Sequence, residues 1–184
     1  MTAFIVALGI LIILCLLIMG MYNSLVKLKN RVKNAWSQID VQLKRRHDLI
    51  PNLVETVKGY KEFESDTLQK VVEARSKAMQ SQSVGEIAKN EGGLNDAISK
   101  FFVVVENYPD LKSNQNFLAL KEELVSTENK ISFARQNYND QVLNLNNKIQ
   151  MFPSNIVASM FHFSESEFFE IQDAAEKDVP KVSF

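Results

Sequence analysis

The hydrophobic pattern of this chain has two regimes. From Ala3 to Met21 nearly every residue is apolar, and the first charged side chain is Lys27. An α-helix rising about 1.5 Å per residue crosses a hydrocarbon core roughly 30 Å thick in about 20 residues, so the run predicts one transmembrane helix. Beyond it the apolar residues recur at helical rather than alternating spacing.

Val32, Trp36, Ile39, Leu43, Ile50 and Val57 fall on steps of three, four or seven and form one stripe reaching to about Tyr60. Pro51 lies inside that stripe. It removes an amide donor and crowds the preceding turn, but the stripe resumes in phase, so a bend rather than a stop is expected. Leu68, Val71, Val72, Arg75 and Met79 continue the helical pattern after Ser65. The polar stretch from Gln80 to Gly93, ending in Gly92-Gly93, reads as a loop or a frayed region. Leu94, Ile98, Phe101 and Val105 mark a shorter helix that stops at Asn107-Tyr108-Pro109-Asp110.

The strongest pattern follows. Phe117, Leu120, Leu124, Thr127, Ile131, Ala134, Tyr138, Val142, Leu145, Ile149 and Phe152 keep steps of threes and fours. That seam predicts a helix of roughly 55 Å, packed coiled-coil fashion as the core of a bundle and ended by Pro153. A last helix is expected from Ser164, the N-cap of a capping box with Glu167, with Phe163 and Phe168 as a hydrophobic staple and Pro180 as its end.

Composition narrows the reading. The N-terminal run lacks the basic n-region and small-residue cleavage site of a secretory signal, and Cys15 follows Leu14 rather than the small residue of a lipoprotein signal. Lys27, Lys29, Arg31 and Lys33 come before any acid on its C-terminal flank, so the positive-inside rule puts the N-terminus outside and the rest in the cytoplasm. The expected organisation is an anchor at 1–22 and a cytoplasmic helical domain at 23–184. With 21 basic and 22 acidic side chains there is no global field for nucleic acid, and one cysteine allows no intrachain disulfide.

Candidate chemistry is sparse. A di-iron bundle needs Glu-x-x-His pairs, but Lys44 stands three before His47 and Ser159 three before His162. Zinc-protease and phosphate-loop motifs do not occur, and no catalytic, cofactor-binding or metal-binding residues are assigned. Two surfaces remain. The membrane-proximal basic set Lys27, Lys29, Arg31 and Lys33 suits anionic headgroups, at about 1 kcal/mol per basic residue near the surface. Lys44, Arg45 and Arg46 lie too far along the helix for those headgroups and are candidates for protein contact. So are Asn137, Asn144 and Asn147, in an amide-rich stretch that also holds Asn139, Gln141, Asn146 and Gln150, where an ordinary solvated face would use better helix formers. Glu165, Glu167 and Glu170 open an acidic terminal segment that could pair with the basic start of a neighbour.

These residues also carry a resemblance. The block from Asn30-Arg31-Val32-Lys33-Asn34-Ala35-Trp36 through Gln42-Leu43-Lys44-Arg45-Arg46-His47-Asp48-Leu49-Ile50-Pro51-Asn52-Leu53 to Gly59-Tyr60 resembles the LemA family of bacterial membrane proteins. Tyr108-Pro109-Asp110-Leu111-Lys112, Thr127-Glu128-Asn129-Lys130-Ile131, Ala134-Arg135 with Tyr138-Asn139, and Phe152-Pro153-Ser154-Asn155-Ile156 agree in order and spacing. The resemblance covers about Tyr22 to the C-terminus and is weakest from Lys61 to Asn95. One departure is His162, at a position where glycine is expected. If that glycine serves a turn, either His162 takes the same backbone at some cost or the turn differs.

The resemblance implies an all-α protein: a single N-terminal transmembrane helix followed by an antiparallel bundle of long helices, LemA-like and four-helix in type. It implies the bacterial inner membrane as location and no catalytic residues. The function expected is a non-enzymatic, membrane-anchored scaffold that self-associates and organises membrane, with lipid and its own copies as partners. The alternative is an adaptor presenting its bundle to another membrane protein, such as a protease or a sensor kinase.

Overall fold

The computed structural model describes residues 1–60 and 64–170, and every regular element among them is helical. In chain order these are α1 (Thr2–Lys58), α2 (Ser65–Gln80), α3 (Val84–Val105), α4 (Pro109–Lys112), α5 (Gln115–Gln150) and α6 (Ser154–Met160). Two compact units result. Among the described residues, unit 1 comprises Met1–Asp40 and Phe133–Glu167; unit 2 comprises Val41–Ser132 and residues 168–170.

In unit 1, α1 runs unbroken from the apolar segment to Asp40, so the candidate anchor and the first polar helix are one helix. Residues of the apolar run such as Phe4, Ile10 and Leu16 are exposed. Burial begins at Leu25 and continues on the predicted stripe with Val32, Ala35 and Ile39. The partner positions on α5 are Ala134, Tyr138, Val142 and Leu145, again on the predicted seam, and α6 adds Val157 and Ala158. Trp36 meets the Tyr138 ring edge-on at 5.3 Å.

Unit 2 has its own core, in which Ile50, Leu53 and Val57 of α1 join Val71 of α2, Leu94 and Phe101 of α3, and Phe117 and Leu124 of α5. α1 continues through Pro51 as far as Lys58. Pro51 has no N–H to give the carbonyl four residues back, that of His47, and the Arg75 guanidinium fills the vacancy, Nε donating to the His47 carbonyl at 2.8 Å. Arg75 thus satisfies the group that would otherwise make an interior proline costly. Asn114 starts α5, its Oδ1 accepting from the Phe117 amide at 3.1 Å while its Nδ2 donates to the Tyr60 hydroxyl at 3.0 Å.

Three expectations are corrected. The stretch from Gln80 to Gly93 is mostly helix: α3 starts at Val84, with Ser83 and Glu86 forming a capping box, and passes through Gly92 and Gly93. The stripe of α3 extends back through Ala88 and Glu91, and a charged residue in a buried position hid its period. The segment Ser164–Glu170 is not helical; the rest of the expected last helix lies outside the described residues. Its backbone is held by side chains of α5 instead. Asn146 Nδ2 donates to the Ser166 carbonyl at 3.0 Å, Asn146 Oδ1 accepts from the Ser166 amide at 2.9 Å, and the Tyr138 hydroxyl donates to the Glu167 carbonyl at 2.9 Å. Third, Phe152, the last member of the predicted seam, is 78% exposed.

α6 ends in a Schellman turn. The Phe163 amide donates to the Ala158 carbonyl at 2.9 Å and the His162 amide to that of Ser159 at 3.3 Å, a pattern that requires the first residue past the helix cap to be left-handed. His162 is that residue, at φ 56°. The cost foreseen for a residue other than glycine at this position is therefore present.

Candidate functional site

Two places concentrate polar or unusual chemistry, one in each unit. In unit 2, α1 presents Arg46 and His47 on successive residues, and α3 presents Glu91 between them. Arg46 and Glu91 are 2% and 4% exposed, which makes them an ion pair inside the core. Arg46 donates to Glu91 Oε2 and, through its other terminal nitrogen, to Glu128 of α5. His47 Nε2 lies 2.7 Å from Glu91 Oε1. Burial acts to raise the Glu91 carboxyl, but the hydrogen bond from His47 and the charge and hydrogen bond of Arg46 outweigh it and hold the group below the ordinary glutamate value.

Both Glu91 oxygens are thus engaged, and the carboxylate is kept ionised and occupied. A general base needs the opposite, a carboxylate with a free lone pair facing a substrate. A shallow cavity of about 260 Å³ adjoins the cluster, lined by Arg46, Ile98, Phe102, Leu124 and Glu128 among others. The cluster reads as a device that fixes α1, α3 and α5 in register. Among the described residues no group of His, Cys, Asp and Glu is gathered to hold a metal ion.

The second place is in unit 1, where the apolar run of α1 ends. Tyr22 packs against Phe161, the rings tilted at 57° with centroids 4.8 Å apart, and meets Phe163 edge-on at 5.8 Å. Lys29 Nζ stands 5.8 Å from the centre of the Phe163 ring, a cation–π contact. Lys27, Lys29, Arg31 and Lys33 are all exposed.

The other sequence candidates separate. Lys44 and Arg45 are exposed, Lys44 bonded to Asp48 at 2.8 Å and Arg45 to Glu123. Arg46 points inward. Asn144 and Asn147 are exposed, whereas Asn137 is half-buried, 3.5 Å from Gln38 Oε1. Asn146, read with that outer amide face, is buried at 7% and clasps Ser166. Glu165, Glu167 and Glu170 are exposed, Glu165 accepting from Gln150 at 2.9 Å. Phe163 touches Lys29 and Glu165 follows two residues later, so the acidic segment begins beside the basic start of its own chain. The picture of opposite charges at opposite ends therefore does not hold for its described part. Glu91 was missed because one acid amid polar residues gives no signal until α3 is recognised as helix.

Comparison with known proteins gives these observations a frame. The LemA family model matches residues 35–184. Protein LemA of Metamycoplasma hominis is 30% identical over 164 residues, spanning 87% of this chain and 74% of that protein. Magnetosome protein MamQ 2 of Paramagnetospirillum magneticum and magnetosome protein MamQ of Magnetospirillum gryphiswaldense are each 22% identical, over 86% of this chain and 68% of their own length. Together with one N-terminal helix long and apolar enough to cross a membrane, these matches point to a membrane-anchored protein, and the chain belongs to the LemA family.

Proposed function

We propose that this protein is a non-enzymatic scaffold of the bacterial inner membrane that works by associating with its own copies. In this reading residues 1–22 cross the bilayer with the N-terminus outside, and residues 23–184 form the cytoplasmic domain. The basic flank Lys27, Lys29, Arg31 and Lys33 supports that orientation and gives the domain an electrostatic hold on anionic lipid. We also infer an antiparallel four-helix arrangement of α1, α2, α3 and α5 in unit 2. It is supported there by the partners of α1 and α5: as the chain runs from Arg45 and Arg46 on to Tyr60, their partners run back from Glu123 and Glu128 of α5 to Asn114 at its start.

The observation that carries self-association is the outward face of α5 in unit 1. Phe133 is 73% exposed and Leu143 49% exposed, and Asn144 and Asn147 stand exposed beside Leu143. Bulky apolar groups flanked by amides suit a protein partner, since amides donate and accept without the desolvation cost of ions. Relatives named magnetosome proteins support a role in a cellular assembly. The test is the mass of the full-length protein in detergent by light scattering. An oligomer at micromolar concentration, shifted to monomer by Phe133→Glu with Leu143→Glu, is expected. A clean monomer for the unaltered chain sinks the reading, and a single foreign protein captured stoichiometrically by in-cell crosslinking favours the adaptor instead.

A further inference from the structure

Phe152 breaks the rule that the seam of α5 otherwise keeps, and it is not alone. Met151 is 61% exposed, Ile156 54%, Met160 59% and Phe161 47%, all on the turn out of α5 or on α6. Residues 149–164 contain no Lys, Arg, Asp or Glu, the longest such run after the N-terminal one. A water-facing corner of a soluble domain is normally the most polar part of it, so five bulky apolar groups gathered on one are out of place.

Their position in unit 1 explains them. The apolar run from Ala3 to Tyr22 is about 30 Å long as a helix, the thickness of the hydrocarbon core, so Tyr22 marks its edge. Phe161 packs against Tyr22, ring centroids 4.8 Å apart. α6 is seven residues long, roughly 10 Å, so Ile156 and Met160 lie within about 10 Å of Phe161, and the turn before it, with Met151 and Phe152, within about 15 Å. The headgroup layer beyond the core is several ångströms deep on each side. By the same rise Lys27 and Lys29 stand about 8–11 Å beyond Tyr22, at the headgroup level, and Arg31 and Lys33 follow about 14–17 Å beyond it on the water side.

We propose that the α5–α6 corner is a second membrane contact: Met151, Phe152, Ile156, Met160 and Phe161 enter the interfacial layer of the bilayer that α1 crosses. The occupant of this apolar surface is lipid, because it continues the surface of a transmembrane segment and is bordered by basic residues. With two contacts instead of one, unit 1 cannot swing or spin freely about the anchor. The inference rests on α1 spanning the membrane.

The experiment uses the full-length chain in vesicles of phosphatidylethanolamine and phosphatidylglycerol doped with lipids brominated near the top of the acyl chain or, for the mid-bilayer Leu11→Trp, near its end. Trp36 is replaced by Phe, and single tryptophans are introduced as Phe152→Trp, Met160→Trp, Tyr22→Trp, Leu11→Trp and Phe133→Trp. The last of these lies about 25 Å back along α5 from its end. The expected result is quenching of Phe152→Trp and Met160→Trp at least about half as strong as that of the interfacial marker Tyr22→Trp, with Phe133→Trp unquenched. If Leu11→Trp is quenched while Phe152→Trp and Met160→Trp behave like Phe133→Trp, the corner does not touch lipid and the proposal is overturned. A blue-shifted but unquenched emission, the signature of a protein interface, overturns it too. Absence of quenching at Leu11→Trp removes the anchor itself, a different failure that takes this proposal with it.

Discussion

Unit 2 carries an ion pair in its interior, whereas the buried polar side chains of unit 1, Asn146 and Ser154 among the described residues, are uncharged. Each arrangement ties α5 to another segment, but the forces differ. Arg46 and Glu91 gain from mutual charge and lose from desolvation, so each is strongly dependent on the other. Asn146 exchanges two neutral hydrogen bonds with the backbone of Ser166, and that geometry works without any charge. An ionic link gives register with a penalty for every wrong alignment; an amide clasp gives a latch whose loss is mild.

The largest effect is expected where a charge is orphaned. Glu91→Ala leaves Arg46 buried with only Glu128 and removes the partner of His47, and should destabilise unit 2 by about 3–5 kcal/mol. Hydrogen exchange on the detergent-solubilised protein should place the loss of protection in residues 41–132 and spare 133–160. Replacing both members, Arg46→Met with Glu91→Leu, should restore most of the stability, since a matched apolar pair avoids the desolvation cost. Loss of protection spread equally over both units would remove the distinction between them.

Acid and alkali should also separate the two. Glu91 is held below its ordinary value of 4.5, so its contribution is present above that value and is lost as pH falls through the lowered one. Tyr138 of unit 1 is raised above its ordinary value of 10.0, by burial first and then by the charge of Glu167. A neutral group favoured by folding contributes fully below 10.0 and loses that contribution as pH rises through the raised value. Trp36, the single tryptophan, packs on Tyr138 and reports unit 1. Acid should therefore lower helicity before Trp36 emission moves, and strong alkali should shift Trp36 first.

A smaller loss is expected at the clasp. Asn146→Ala removes both partners of Ser166, which is half-buried and can turn partly to water, so about 1–2 kcal/mol is anticipated. Protection should drop at the Ser166 amide and leave the Glu91 region untouched. This contact also marks where reading the sequence reached its limit. The stripes on α1 and α5 were legible because burial of an apolar face imposes a period of three and four, and Val32, Ile39, Leu43, Ile50 and Val57 all obey it. Asn146, Arg46 and Glu91 carry the type of residue that usually faces water, and only their partners, distant in sequence, make burial tolerable. The capping box at Ser164 and Glu167 is a local signal of real strength, and it lost to Asn146 and Tyr138, which bond the Ser166 amide and carbonyl and the Glu167 carbonyl from across the unit. The basic flank was legible as a set, but nothing in the period of α5 distinguished Phe152, on the surface, from Leu145 in the core.

The smallest effect tests a single backbone angle. His162 occupies the left-handed position of the turn that ends α6, where a side chain costs roughly 1–2 kcal/mol relative to glycine, less for histidine than for branched residues. Glycine relieves that strain but makes the unfolded chain more flexible, which takes back about half of the gain. His162→Gly should therefore stabilise unit 1 by a few tenths to about 1 kcal/mol. The sign matters more than the size, because nearly all other substitutions in a packed region destabilise. Exchange should slow at the His162 and Phe163 amides, which donate the two bonds of the turn. Residues 41–132 should not respond, since the ionic cluster of unit 2 has no share in that turn. A faster exchange in His162→Gly would mean that the imidazole makes a contact worth more than the strain it imposes, and the glycine expected at this position would then be no improvement for this chain.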